Sequence, residues 1–285
     1  MKITIAMLRQ KGACAEGLRW VRENFPDGAE YQDLLDRLAE ADKPDWAKWL
    51  LKSFGPLPGA AKIVREQPTA RHIFAAGALY LKVLISVAGR VQAADAIKAR
   101  WGIEAGDGIE AGKGIEAGRG IKARRGIKAC GGGIAGWGIE AGDGIEAWEG
   151  IQARGGIQAG AGIEAGRGIK ARLGMKAGRG IDAGEGIEAG EAIQAGEAIQ
   201  AGWGVQAGWG IQAGSHITCK RNLSSGLRIF AGLHNWCLPS NTDQQINCQK
   251  LTRGTIACGK LNESGTALSV LDPKAPEAKE LEGAM

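Results

Sequence analysis

The chain has 285 residues, a hydrophobic share of 44 % and a net charge of +5 from 36 basic and 31 acidic residues. Eight prolines exclude collagen and a Pro-rich disordered chain. The near-balanced charge gives no argument by itself for nucleic acid as the partner, which is not expected though left open, and no apolar run approaches the ~18 residues of a membrane-spanning helix. The first apolar stretch is broken by Arg9, Gln10 and Lys11, so no signal peptide is expected.

Residues 1–55 carry helical patterning. Leu18, Trp20 and Val21, then Tyr31, Leu34, Leu35 and Leu38, recur at helical spacing. Phe25-Pro26-Asp27-Gly28 reads as a turn, and Pro44-Asp45 opens a third segment with Trp46, Trp49 and Leu50 on one face. Such short helices cannot hide their apolar faces alone. They are expected to cap the structure that follows and to stop end-to-end strand pairing; a dimerisation or partner-binding module is the second reading. Residues 56–71 read as a linker.

From Arg90 to Arg221 the chain is a six-residue repeat of 22 units, typified by Gly-Ile-Glu-Ala-Gly-Asp. The second position is Ile, Val or Met in 21 units, with Gly133 the exception, and the fourth is Ala in 21, with Cys219 the exception. Residues i and i+2 share a face in a strand and not in a helix. Each Gly-Ile-x-Ala is therefore a short strand with its aliphatic and Ala side chains inward, and the glycines supply the bend. Glycine at this density would cost a helix roughly 1 kcal/mol per residue.

Stacked charges decide how many units make one coil, because opposite charges in register are favourable and like charges are not. With 18 residues per coil, the third and sixth positions together give twelve opposite pairs and two like pairs; with 12 residues they give nine and five. The expected fold is therefore mainly β: a triangular parallel β-helix with a small α-helical N-terminal cap and an irregular β C-terminal cap. The same phase runs from 72 to 221, about 8.3 coils and roughly 40 Å of rod. Phe, Tyr and Leu near its ends are expected to close the bore. Residues 222–262 read as the C-terminal cap, with strands at Leu227–Phe230 and Gly254–Cys258 and a loop containing His234 and Cys237. Residues 263–285 read as a flexible tail.

Ile-x-Ala-Gly-x-Gly resembles the hexapeptide repeat of left-handed β-helix proteins, which implies a left-handed coil. Gly12–Trp20, Asp45–Leu51 and Leu227–Leu233, together with the repeats, resemble a family of phage and prophage proteins. That resemblance implies viral origin and the bacterial host cytoplasm, not a chemistry.

None of the six cysteines forms a C-x-x-C pair, and His234, Cys237 and Cys248 match no common zinc spacing. Free thiols, no metal and no cofactor are expected. Hexapeptide acyltransferases, which the repeat also resembles, use a catalytic His in a cleft between subunits. Here His72 and His216 sit near opposite ends of the repeat and no excursion loop interrupts it. No catalytic residue is assigned. Blocks of charge, such as Arg119–Lys128 against Glu140–Glu149, read mainly as ladder pairing between coils. Residues 72–221 hold 18 basic and 15 acidic residues, too balanced for mimicry of DNA. Trp101, Trp137, Trp203 and Trp209 fall at corners, where side chains meet solvent, and an 18-residue coil stacks Trp101, Arg119 and Trp137 in one column. With Arg125, these are the candidate partner-binding residues. The expected function is a non-enzymatic, phage-encoded rod that binds a host or viral protein, as an inhibitor of a bacterial antiviral defence system. A homo-oligomer, formed through the helical module or a face of the rod, is a further expectation. The alternatives are an acyltransferase and a structural or virion-associated component.

Overall fold

The computed structural model describes residues 1–232 and 244–264. Four helices come first: Ile5–Gln10 (α1), Ala15–Asn24 (α2), Tyr31–Glu40 (α3) and Pro44–Phe54 (α4). The Thr4 hydroxyl accepts from the Met7 N–H at 3.4 Å and starts α1, and Pro44 stands in the first turn of α4, where a missing N–H costs nothing. α1 has no counterpart in the sequence reading, because Arg9 and Gln10 interrupt its short apolar stripe. Two-residue antiparallel strands, Lys2–Ile3 and Ala29–Glu30, clip the module together. Its core is Leu8, Val21, Tyr31, Leu34, Leu35, Leu38 and Leu50.

The rest is a parallel β-solenoid of three short strands per coil. Ile109 pairs with Ile127, Ile121 with Ile139 and Ile151 with Ile169, so each residue stacks on the one 18 positions later. One of its faces is an 11-stranded sheet running from Ile73–Ala75 to Lys260–Glu263, which sets the rod at about eleven turns. The strand Ala61–Val64 lies within the stretch read as linker and pairs in parallel with Ala78–Leu81. The strands Asn222–Ala231, Gln245–Cys248, Lys250–Cys258 and Lys260–Glu263 continue the same faces. The solenoid therefore extends past both ends of the 72–221 repeat. The loop with His234 and Cys237 and nearly all of the C-terminal tail lie outside the described residues.

The bore is dry. Ile, Val or Met from the second position and Ala from the fourth form one continuous buried cluster. Each buried aliphatic side chain contributes roughly 1.5–3 kcal/mol relative to exposure. Outward third positions carry ion pairs between coils: Lys122–Glu140 at 3.3 Å, Lys128–Glu146 at 2.6 Å and Lys170–Glu188 at 2.8 Å. Exposed as they are, each is worth about 0–1 kcal/mol; they report register more than they stabilise it.

Two details differ from the sequence reading. The unit at 132–137 slips by one residue. Ile134, not Gly133, enters the bore, and Ala135 faces out, paired with Glu116 and Gln152. Gly131, Gly132 and Gly133 absorb the extra corner residue, because burying an isoleucine outweighs a regular turn. Phe74 and Tyr80 also face outward, in register with Gln92 and Lys98, instead of closing the bore. Phe74 is buried because the helical module covers that face.

The module also finishes the open sheet edge. The Gln32 side chain of α3 donates to the Phe74 carbonyl at 2.9 Å and accepts from the Ala76 N–H at 3.0 Å, taking the place of a neighbouring strand on the terminal strand Ile73–Ala75. The Gln67 amide does the same on Ser86, donating to its carbonyl and accepting from its N–H. Unpaired edges invite another chain, and these two amides satisfy them.

A polar clasp joins the two parts. His72 is buried, stacks on Phe74 and accepts the Arg90 N–H on Nδ1 at 2.9 Å. Nδ1 is thus unprotonated, and Nε2–H donates to Asp42, 2.6 Å away in the turn after α3, where φ is +52°. Arg71 lies 3.3 Å from the same carboxylate. The hydrogen bond from His72, then the charge of Arg71, hold the Asp42 carboxyl below the usual carboxylate range. A depressed folded pKa gives stability that is present above the unfolded value of about 4 and is lost as pH falls through the folded value. Acidification below pH ~4 is expected to loosen the module from the first coils, seen as a red shift in the emission of Trp20, Trp46 and Trp49. Asp42→Asn should remove that pH step, and an unchanged step in the variant would refute the assignment.

Candidate functional site

In each coil, the sixth position of every unit occupies a corner. Backbone hydrogen bonds join equivalent corners of successive coils: Arg119 N–H to the Trp101 carbonyl at 3.1 Å, Trp137 to Arg119 at 2.9 Å, Gly155 to Trp137, Leu173 to Gly155 at 3.2 Å, Glu191 to Leu173 at 3.3 Å, Trp209 to Glu191 at 3.1 Å and Leu227 to Trp209 at 2.7 Å. One corner is therefore an unbroken column from Trp101 to Leu227. Val83, 18 residues before Trp101, is not part of it: its side chain packs against the bore.

The six candidate residues divide among three corners. Trp101, Arg119, Trp137 and Trp209 share this first column. Trp203 belongs to a second, between Glu185 and Arg221, and Arg125 to a third, between Asp107 and Asp143. They are not one site. The Arg119 guanidinium carbon lies 4.5 Å from the Trp101 ring centroid, the cation–π contact expected from the spacing, and Arg221 sits 5.2 Å from the Trp203 ring. Arg125 lies in the ladder of alternating charge on its own corner.

The first column also contains apolar residues that the sequence reading passed over. Trp101, Trp137, Leu173, Trp209 and Leu227 are 38–63 % exposed, a row of large apolar side chains on one edge. The signal was available, because 173 and 227 differ from 101 by multiples of 18. Beside the edge runs a groove of about 640 Å3, floored by Gly120, Gly138 and Gly156 and walled by Trp137 and Trp209 on one side and by Lys122 and Glu140 on the other. Trp148, also exposed, stands at the second corner and was likewise not singled out.

Among the residue types associated with chemistry, Cys14 and Cys130 are free, exposed thiols. Cys248 stacks on Cys219 inside the bore, and burial pushes their thiols up to about 11 and about 12. Cys248 thus faces away from any ligand on the surface. His216 contacts Ser215 at 3.0 Å and Gln200 at 3.4 Å. Among the described residues, no group of three or more His, Cys, Asp and Glu is placed to hold a metal ion, and no helix is long and apolar enough to cross a membrane.

Residues 1–54 match the family model of the YdhT N-terminal domain. The match coincides with the helical module and stops where α4 ends, leaving the solenoid and its tryptophan edge beyond it. Neither a curated protein nor a solved structure matches the chain. Within the matched module, Leu8, Val21, Leu34, Trp46 and Trp49 line an apolar pocket of about 250 Å3. It has the lining of a core gap between three-turn helices and presents no convergent polar group.

Proposed function

We propose that this chain is a non-enzymatic rod that binds protein through the tryptophan edge of its solenoid. The observation that carries the reading is the alignment of Trp101, Trp137, Leu173, Trp209 and Leu227 on one edge, all solvent-exposed, with Arg119 among them. Exposed indoles in a row are unfavourable in a lone soluble rod, and Trp and Arg dominate binding hot spots. A prebuilt solenoid also loses little conformational entropy on binding. His72 is used up in the Asp42 clasp, which favours the binding reading over acyl transfer. The finer reading is a phage-encoded inhibitor of a bacterial defence component, acting in the host cytoplasm. It is supported by the sequence resemblance of the helical module and the repeats to phage and prophage proteins.

The test is a tagged pull-down from host cells that co-express an untagged native chain, so that a second copy counts as a partner, with the triple variant Trp101→Ser, Trp137→Ser, Trp209→Ser, and with Trp148→Ser as a control on another corner. The triple variant is expected to lose at least about nine-tenths of the bound partner, and the control to retain it. Equal recovery in the two variants would remove the edge from the function.

A further inference from the structure

The tryptophan edge has a pattern that no single ligand group explains: it is self-complementary about its own centre. Read along the rod, the column is Trp101, Arg119, Trp137, Gly155, then Leu173, Glu191, Trp209, with Leu227 beyond it. A twofold axis perpendicular to the rod at Gly155 would bring a second copy alongside, antiparallel. In an isologous contact, if i meets j then j meets i. From Trp101 to Trp209 every rung then meets a compatible one: Trp101 meets Trp209, and Trp137 meets Leu173. Arg119 meets Glu191, and Gly155 meets itself. Large side chains fall opposite large ones, the only basic residue of the column falls opposite its only acidic one, and the smallest residue lies on the axis.

The neighbouring ladder repeats the pattern independently. On the strands that follow this corner, the outward residues from Glu104 to Gln212 include Glu140 and Lys176, which meet across the same axis, while Gln158 meets itself. Lys122 meets Gln194 and Glu104 meets Gln212, so no like charges face each other on that side. The ladder on the strands before the corner is less suitable, because it would set Glu116 against Glu188. The contact therefore uses the edge and the face after it, where the glycine-floored groove lies. A side chain at Gly155 is excluded in any case: a Cβ there would lie 2.8 Å from the Trp137 carbonyl oxygen, and the Trp137 indole nitrogen lies only 3.4 Å from the same point.

We infer that the tryptophan edge is a homodimer interface, in which two copies of this chain pack antiparallel about a twofold axis at Gly155. The inference rests on the protein-binding reading of the edge and names its partner as a second copy. Seven rungs span about 29 Å at ~4.8 Å per coil. A strip of that length and roughly 20 Å wide buries about 600 Å2 per protomer, the lower end of the range for a specific stable interface. The Trp148 and Trp203 corner remains outside it for any further protein.

Charge reversal tests the register directly. Arg119 lies between Trp101 and Trp137, and Glu191 between Leu173 and Trp209, so neither takes part in a charge ladder of its own column. Sedimentation velocity and mass photometry at micromolar concentration should show the native chain as a dimer. Arg119→Glu alone, or Glu191→Arg alone, sets like charges together twice per dimer and should weaken association by about tenfold or more. The double variant Arg119→Glu, Glu191→Arg should restore the native dimer, with far-UV circular dichroism unchanged in all three. A monomeric native chain overturns the inference, as do single reversals that leave the dimer intact or a double variant that stays dissociated. If the native chain is monomeric and the edge variant still loses a different protein in the pull-down, only the dimer is refuted and the protein-binding reading stands. If it is monomeric and the edge variant loses nothing, both fall.

Discussion

Replacing Ile163 by Ala is expected to destabilise the rod by about 2–5 kcal/mol. Ile163 stacks between Ile145 and Ile181 at the middle of the bore and is 1 % exposed. Its truncation removes apolar contact from both neighbours and leaves a void that a closed coil cannot collapse to fill. In a solenoid, each coil touches only its neighbours, so a weak rung in the middle divides one cooperative stack into two. The urea midpoint should fall, and the transition should broaden or split. On the same strand, Glu164 points outward between Glu146 and Asp182, in a column of three acids. Glu164→Ala is expected to raise stability by about 0.2–1 kcal/mol, through relief of like-charge stacking. Opposite signs from adjacent residues would establish which side of the strand faces the bore. Equal losses at both positions would contradict the fold.

The second large effect runs the other way in volume. Ala183→Leu is expected to cost about 1–3 kcal/mol through overpacking. Ala183 stacks on Ala165 and Ala201, and its side chain is 1 % exposed. The fourth position is Ala in 21 of the 22 regular units and the small Cys219 in the other, whereas Leu81 and Val87 occupy it upstream of them. The coil has one size of bore, and large and small inward residues alternate to fill it. Differential scanning calorimetry should show a lower midpoint for the Leu variant. A midpoint unchanged from the native protein would mean that the bore has slack, which its continuous buried cluster denies.

Much of this architecture was legible because it is local. The inward Ile and Ala, the 18-residue coil and the Trp101–Arg119 contact follow from a period of two within each strand and from charges repeating along the chain. Four candidate residues on one edge were partly legible by the same rule. Applied to Trp209, Leu173 and Leu227 as it was to Trp137, the 18-residue spacing assembles the whole row, and it separates Trp203, one corner away. Other features had no local signal. Gly131-Gly132-Gly133 admits two registers, and only the competition between Ile134 and Ala135 for the bore selects one. Phe74 looks like a plug for the end of the rod until α3 is seen to lie across the face on which it stands. Gln32 and Gln67 are unremarkable as letters, and their role in finishing two sheet edges depends on where the chain before the solenoid comes to rest.

By itself, then, the amino-acid order determined the coil: strand length, bore contents, residues per turn and the absence of a helical middle. Those quantities depend on neighbours two or eighteen positions away, and a strict repeat writes such distances into the chain. The tertiary structure alone decided the ends and the corners' company: the Asp42–His72 clasp, the amides that close the edges and the slipped rung. These join residues with no fixed spacing, and their energies come from satisfying buried polar groups and excluding water, which depend on what lies across from them in space.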